Sequence, residues 1–183
     1  MKSGLLLIAA ASALLAQAPE FDGGGKLVRP NYREWIFLSS GLGMNYSAEV
    51  RPDGAFDNVF VAPSAYREFL KTGHWPEKTI FVLEVRKAQS HGSINQGGHF
   101  QTDVVAIEAE IKDSAKYPDK WAFFSFDDHG QPGATAYMIP HGSVCQTCHG
   151  KNALVENTFV QFYPTLIEVA RKFGTVKPSA DVH

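Results

Sequence analysis

Val104-Val105-Ala106-Ile107-Glu108-Ala109-Glu110-Ile111 places apolar side chains at every second position, and that alternation decides the fold class. Val105, Ile107, Ala109 and Ile111 share one face of a strand; Glu108, Glu110 and Lys112 share the other. One apolar and one wet face is the habit of an antiparallel sheet.

The neighbouring stretches extend the sheet. Thr79 to Val85 is a strand with Thr79, Phe81, Leu83 and Val85 on one face and Ile80, Val82 and Glu84 on the other. Phe56 to Val61 is β-rich and ends at Ala62-Pro63. Ser64 is expected to cap a short helix carrying Tyr66, Phe69 and Leu70 on one side, with Gly73 closing it. Gln89 to Gly98 reads as a loop, Trp121 to Phe126 as a strand, and Asp127 to Gly133 as its turn. Arg33 to Ser39 begins regular structure, helix or strand, and Ser39-Ser40-Gly41-Leu42-Gly43 is expected to break it. Pro164 sits in the first turn of a helix running to Phe173, with Leu166, Ile167 and Ala170 on one stripe and Gly174 as its stop. The fold class is α+β, mainly β: an antiparallel sheet with a few helices and a C-terminal helical segment. One domain is expected over 31–175, between a flexible leader over 19–30 that contains Gly23-Gly24-Gly25 and a frayed tail over 176–183.

The 183 residues suffice for one domain with a real core. Seventeen basic against 19 acidic residues, with no basic run interleaved with aromatics, excludes nucleic acid as a partner class. Met1-Lys2-Ser3 and the apolar run Gly4 to Leu15 have the anatomy of a secretory signal, assigned to residues 1–18. The run is shorter than the roughly 20 residues a spanning helix needs. Ala16-Gln17-Ala18 has the form of a cleavage signal, although Pro19 is a poor residue just past a cut. Export to the periplasm is the expectation.

The chain's two cysteines both lie in Cys145-Gln146-Thr147-Cys148-His149, the C-x-x-C-H attachment signature of a c-type haem. Two thiols at this spacing reach the two vinyl groups of one porphyrin. The adjoining imidazole then supplies one axial ligand. A structural zinc site would want four ligands, and no second cysteine pair exists. A redox C-x-x-C would follow a strand at a helix start, which Ile139-Pro140-His141-Gly142 does not suggest. One covalent haem c on Cys145 and Cys148, with His149 as iron ligand, is the reading. The frequent aromatics, 13 Phe, 6 Tyr and 3 Trp, suit a large flat cofactor as well as an ordinary core. A second ligand from methionine would have to be Met44, which reads as a gap-filling side chain, or Met138, only seven residues before Cys145. An open or water-filled sixth position is therefore expected. His74, His91, His99, His129 and His141 read as surface residues, and Asp57 and Asp103 as solvated turn or edge groups.

Tyr32-Arg33-Glu34-Trp35, the strand from Phe56 to Pro63, Tyr66, Thr72-Gly73, Lys112-Asp113-Ser114, Trp121-Ala122-Phe123 and the late C-x-x-C-H with Phe162-Tyr163-Pro164 resemble, in order and spacing, the cytochrome P-460 family. That family also contains the cytochromes c′-beta, and the resemblance covers Tyr32 to Phe173. It implies a β-rich homodimer with one c-haem per chain and five-coordinate iron. It also implies haem binding by Cys145, Cys148 and His149. One branch oxidises hydroxylamine with a lysine cross-linked to the haem; the other lacks the cross-link and binds nitric oxide or carbon monoxide in an apolar pocket. The cross-linking lysine is expected just ahead of the glutamate matched by Glu84, and Leu83 stands there. Lys87 is four residues late, displaced by more than about 10 Å along a strand.

If the Phe81 and Leu83 face looks at the haem's distal side, with Ala136 closing the wall, the pocket is hydrocarbon and holds no base for hydroxylamine. The leading expectation is a periplasmic mono-haem cytochrome that binds nitric oxide or a similar small ligand, for scavenging, sensing or detoxification. A redox partner protein is compatible with it. The rivals are a hydroxylamine-oxidising enzyme and a six-coordinate electron carrier.

Overall fold

The computed structural model describes residues 18–45 and 54–178. The expected signal, apart from Ala18, and the end of the expected tail lie outside the described residues. The chain runs from a short strand, β1 (Leu27–Val28), through a 3-10 turn at Tyr32–Glu34 into β2 (Ile36–Leu42) and β3 (Ala55–Val61). Helix α1 (Pro63–Thr72) leads to β4 (Ile80–Gln89), β5 (Phe100–Lys112) and β6 (Trp121–Ser125). Three two-residue strands follow, β7 (Asp127–Asp128), β8 (Gln131–Pro132) and β9 (Thr135–Ala136). Helix α2 (Val144–Asn152), a 3-10 turn at Val160–Phe162 and helix α3 (Ile167–Phe173) complete it. Strands β2 to β6 form one five-stranded sheet in chain order, every pairing antiparallel. Strand outweighs helix by 35% to 21%, so the α+β, mainly β reading holds.

Register fixes which side chains meet. Val61, Phe81, Glu110 and Phe123 stand in one row across the sheet, and Val59, Leu83, Glu108 and Ser125 in the next. Directly paired residues point to the same face, so both rows belong to one side, here the front. The front core is aromatic: Trp75 packs on Phe69 at 4.1 Å and on Phe81 at 4.7 Å, and Phe81 lies 6.2 Å from Trp121 and 6.3 Å from Tyr163. Behind the sheet, Phe60 meets Tyr32 at 5.3 Å and Phe124 meets Phe21 at 6.1 Å. Both faces are therefore covered. The expected wet face of β5 is not wet: Glu110 is buried and the Lys112 side chain is only 12% exposed.

Several local expectations are corrected by the structure. Residues 19–30 contain β1, whose Leu27 is fully buried and pairs with Ala136. The Gly23-Gly24-Gly25 run forms a turn in which Asp22 Oδ1 accepts from the amides of Gly24 and Lys26, both at 2.9 Å. A two-residue strand with a partner more than a hundred residues away leaves no periodic trace. β2 continues through Ser39-Ser40-Gly41 because β3 supplies its ladder and Ser40 Oγ donates to Asn58 at 2.8 Å. α1 is capped by Ala62 rather than Ser64, since Pro63 occupies the first helical position and has no amide to satisfy. Gly73 closes α1 at φ 71°, where a Cβ would meet Phe173 of α3 at 2.7 Å; this close approach needs a glycine.

Glu84, beside Leu83 on β4 but pointing backward, is buried. It accepts from Tyr32 Oη at 2.5 Å and Arg86 Nε at 2.5 Å, and pairs with Arg33. Burial pushes its carboxyl up, but the hydrogen bonds from Arg86, Arg33 and Tyr32 outweigh that and hold it below the usual range. A depressed carboxyl stabilises the fold above its unfolded pKa and loses that contribution as pH falls. Glu84→Ala is expected to cost about 3 kcal/mol at pH 7, the low end for a broken buried pair because Arg33 can turn to water. Urea titrations at pH 7 and pH 4 should show the parent losing more stability on acidification than Glu84→Gln does.

Candidate functional site

α2 carries Cys145, Cys148 and His149 and begins at a built cap. Ser143 Oγ accepts from the Gln146 amide, and the Gln146 side chain reaches back to the Gly142 amide at 2.8 Å. The same glutamine donates to Asp119 at 2.6 Å, and His141 Nε2 lies 2.6 Å from that carboxylate. At the other end Lys177 Nζ donates to the Gly150 carbonyl at 3.2 Å. The helix is thus fixed at its ends while burying none of its nine residues. Cys145 and Cys148 are free thiols, each half-buried.

His149 is held on three sides. Its ring meets Phe123 and Phe159 edge-on, both at 4.6 Å. Its Nδ1 lies 2.7 Å from the Asn157 carbonyl and 3.0 Å from Glu110 Oε2. Burial opposes charge on the imidazole, but Glu110 and then the Asn157 carbonyl outweigh it and raise the pKa. The Asn157 carbonyl is presented by a tight turn in which Val155 and Thr158 pair. Glu156 in that turn has φ 53°, a left-handed backbone that a non-glycine residue adopts only when its surroundings impose it. Those surroundings are visible. Lys112 Nζ lies 2.8 Å from Glu156 Oε2 and donates to the Trp75 carbonyl at 2.6 Å; the Trp75 amide donates to Glu156 Oε1 at 3.2 Å, and its Nε1 to Thr158 Oγ1 at 2.9 Å.

The front face beside this group is mixed. Leu83, half-buried, pairs with Glu108, and Val85 pairs with Asp57. Burial raises the Glu108 carboxyl against the pull of His149, with Asp57 adding to the rise; burial alone raises Asp57. Burial raises the Cys145 thiol, and Glu108 adds to it. The hydrocarbon-only face expected from Phe81 and Leu83 is therefore corrected: two carboxylates share it, and Asp57 is not a solvated turn group. Phe81 itself lies in the aromatic core one row away. Ala136 is buried against β1 through its pairing with Leu27.

Sequence reasoning singled out Cys145, Cys148 and His149 and missed Glu108, Glu110, Phe123, Asn157 and Phe159. The two glutamates were visible as an alternation but assigned to water. Asn157 acts through its main chain, which no side-chain pattern reports.

These residues fit a haem. The Nδ1 of His149 is committed to a carbonyl, leaving Nε2 as the ring's ligand atom, the tautomer a metal-bound histidine needs. Two thiols i,i+3 on one short helix stand beside it, and Leu83, Val59 and Val85 are half-buried apolar side chains on the front of the sheet. Replacing Trp75 by Phe keeps a ring but leaves Thr158 without its donor. It is expected to cost about 1–3 kcal/mol in a chemical denaturation experiment.

A family profile for Cytochrome P460 matches residues 29–160, and no curated protein matches the chain. The match takes in all five strands of the main sheet, α2 with its cysteines and histidine, and the turn that presents Asn157. The chain therefore belongs to the cytochrome P460 family, and that membership implies a haem cofactor.

Proposed function

We propose that this chain is a periplasmic mono-haem c-type cytochrome that binds nitric oxide or a similar small ligand at a five-coordinate iron, in scavenging, sensing or detoxification. The observation that carries it is the commitment of His149 Nδ1 to the Asn157 carbonyl beside two free thiols on the same helix. A haem there would be held by Cys145, Cys148 and His149 and would supply iron chemistry toward a small molecule. Each thiol of Cys145 and Cys148 would add its S–H across one vinyl group, so no atom is lost on attachment. His149 would ligate through Nε2, with Phe123 and Phe159 fixing the ring's plane and Asn157 its tautomer.

Among the described residues, the histidines outside α2 and Met138 are engaged elsewhere or exposed. His74 lies 3.7 Å from Glu156, His141 lies beside Asp119, His129 stands in water, and His91 and His99 are in exposed chain. Met138 is 46% exposed and bridges to Phe124, whose side chain is behind the sheet. At the place of the other branch's cross-linking lysine stands Leu83; Lys87 is 62% exposed near Asp103 at 3.5 Å, and Lys78, just before β4, is bound to Asp113. Exposed Phe37 and Leu42 on the edge strand β2 offer an apolar surface for the homodimer that belongs to this reading.

A second reading, oxidation of hydroxylamine, is favoured by Glu108 and Asp57, half-buried carboxylates able to accept protons on the Leu83 face. The ferrous protein is expected to change its optical spectrum on adding carbon monoxide. An unchanged six-coordinate spectrum would reject both readings. Hydroxylamine with an electron acceptor separates the two, since steady turnover selects the enzyme. Intact mass should equal the mature polypeptide plus one unmodified haem, and His149→Ala should still carry one haem on its own, lighter polypeptide while losing the parent's spectrum.

A further inference from the structure

We propose that Glu110 is a positioning residue for the iron-binding imidazole: it shares the Nδ1 proton of His149 with the Asn157 carbonyl and strengthens electron donation from Nε2. The inference rests on the haem reading above and adds a second acceptor to it. Glu110 stands in the row between Phe81 and Phe123, its side chain only 8% exposed. Its Oε2 lies 3.0 Å from Nδ1 yet makes no hydrogen bond of its own, because the ring N–H is aimed at Asn157 at 2.7 Å. Both separations are within hydrogen-bond range, so one N–H faces two acceptors.

A buried carboxylate oxygen without a donor is costly, and among the described residues no Lys or Arg pairs with Glu110. Lys112, two residues along on the same face, is committed to Glu156 and to the Trp75 carbonyl. Among the described residues, His149 is the ion-pair partner Glu110 has. A carboxylate on the far nitrogen makes a ligating imidazole more basic, which favours the ferric over the ferrous iron. Glu108, two residues earlier, sits in the next row and makes no such contact in the structure.

The test is Glu110→Gln in the full-length holoprotein, read by reduction potential and by the ferrous iron–histidine stretching frequency. At a fixed poise the ferric-to-ferrous ratio should fall at least tenfold, 59 mV for a one-electron couple, and the stretch should drop. Glu68→Gln, which removes a carboxylate on α1 outside the site, should leave the stretch unchanged and move the ratio less than threefold. Parent values for both readouts in Glu110→Gln overturn the proposal. Should that variant fail to hold haem, the parent decides alone: a stretch no higher than that of a ferrous haem bearing neutral 2-methylimidazole overturns it. A parent that takes up no haem removes the haem reading itself, and lack of colour distinguishes that failure from the others.

Discussion

The hydrogen bond between His149 Nδ1 and the Asn157 carbonyl constrains the rest of the site. It selects one tautomer, and with it the atom of the ring that faces outward for ligation. A carbonyl at 2.7 Å does this only if the main chain bearing it is rigid. Rigidity comes from the paired turn at Val155 and Thr158, whose unfavourable backbone at Glu156 is held by Lys112 and Trp75. Trp75 in turn packs on Phe69 and Phe81, so the aromatic core in front of the sheet reaches the imidazole through a chain of short, directional contacts.

β4 shows how one strand serves two purposes. Leu83 faces forward beside Glu108, and Glu84, the next residue, faces backward into Tyr32, Arg33 and Arg86. The period of two puts a forward-facing apolar group and a buried charged anchor in adjacent positions. The anchor fixes the strand's height against the back layer, and the register carries that height across to Glu108 and Glu110.

Much of this was legible from the residues. The spacing of Cys145, Cys148 and His149 placed three groups on one helix, and the alternation in β4 and β5 gave the right faces to Phe81, Leu83 and Glu84. What alternation does not report is what covers a face. Glu108 and Glu110 look like solvent groups because most strand glutamates are, and only the arrival of α2 and the Asn157 turn changes that. Leu27 was hidden for another reason: its partner Ala136 lies far along the chain and the ladder is two residues long. The order of short matches from Tyr32 onward carried the family further than any single motif could, and the family profile agrees over residues 29–160.

The way α2 is fastened bears on how the molecule is put together. Asp119 and Lys177 grip its two ends, and none of its nine residues is buried. The sheet and its aromatic layers need not open for chemistry at the two sulfurs. A reagent for either thiol meets the helix against an already folded scaffold.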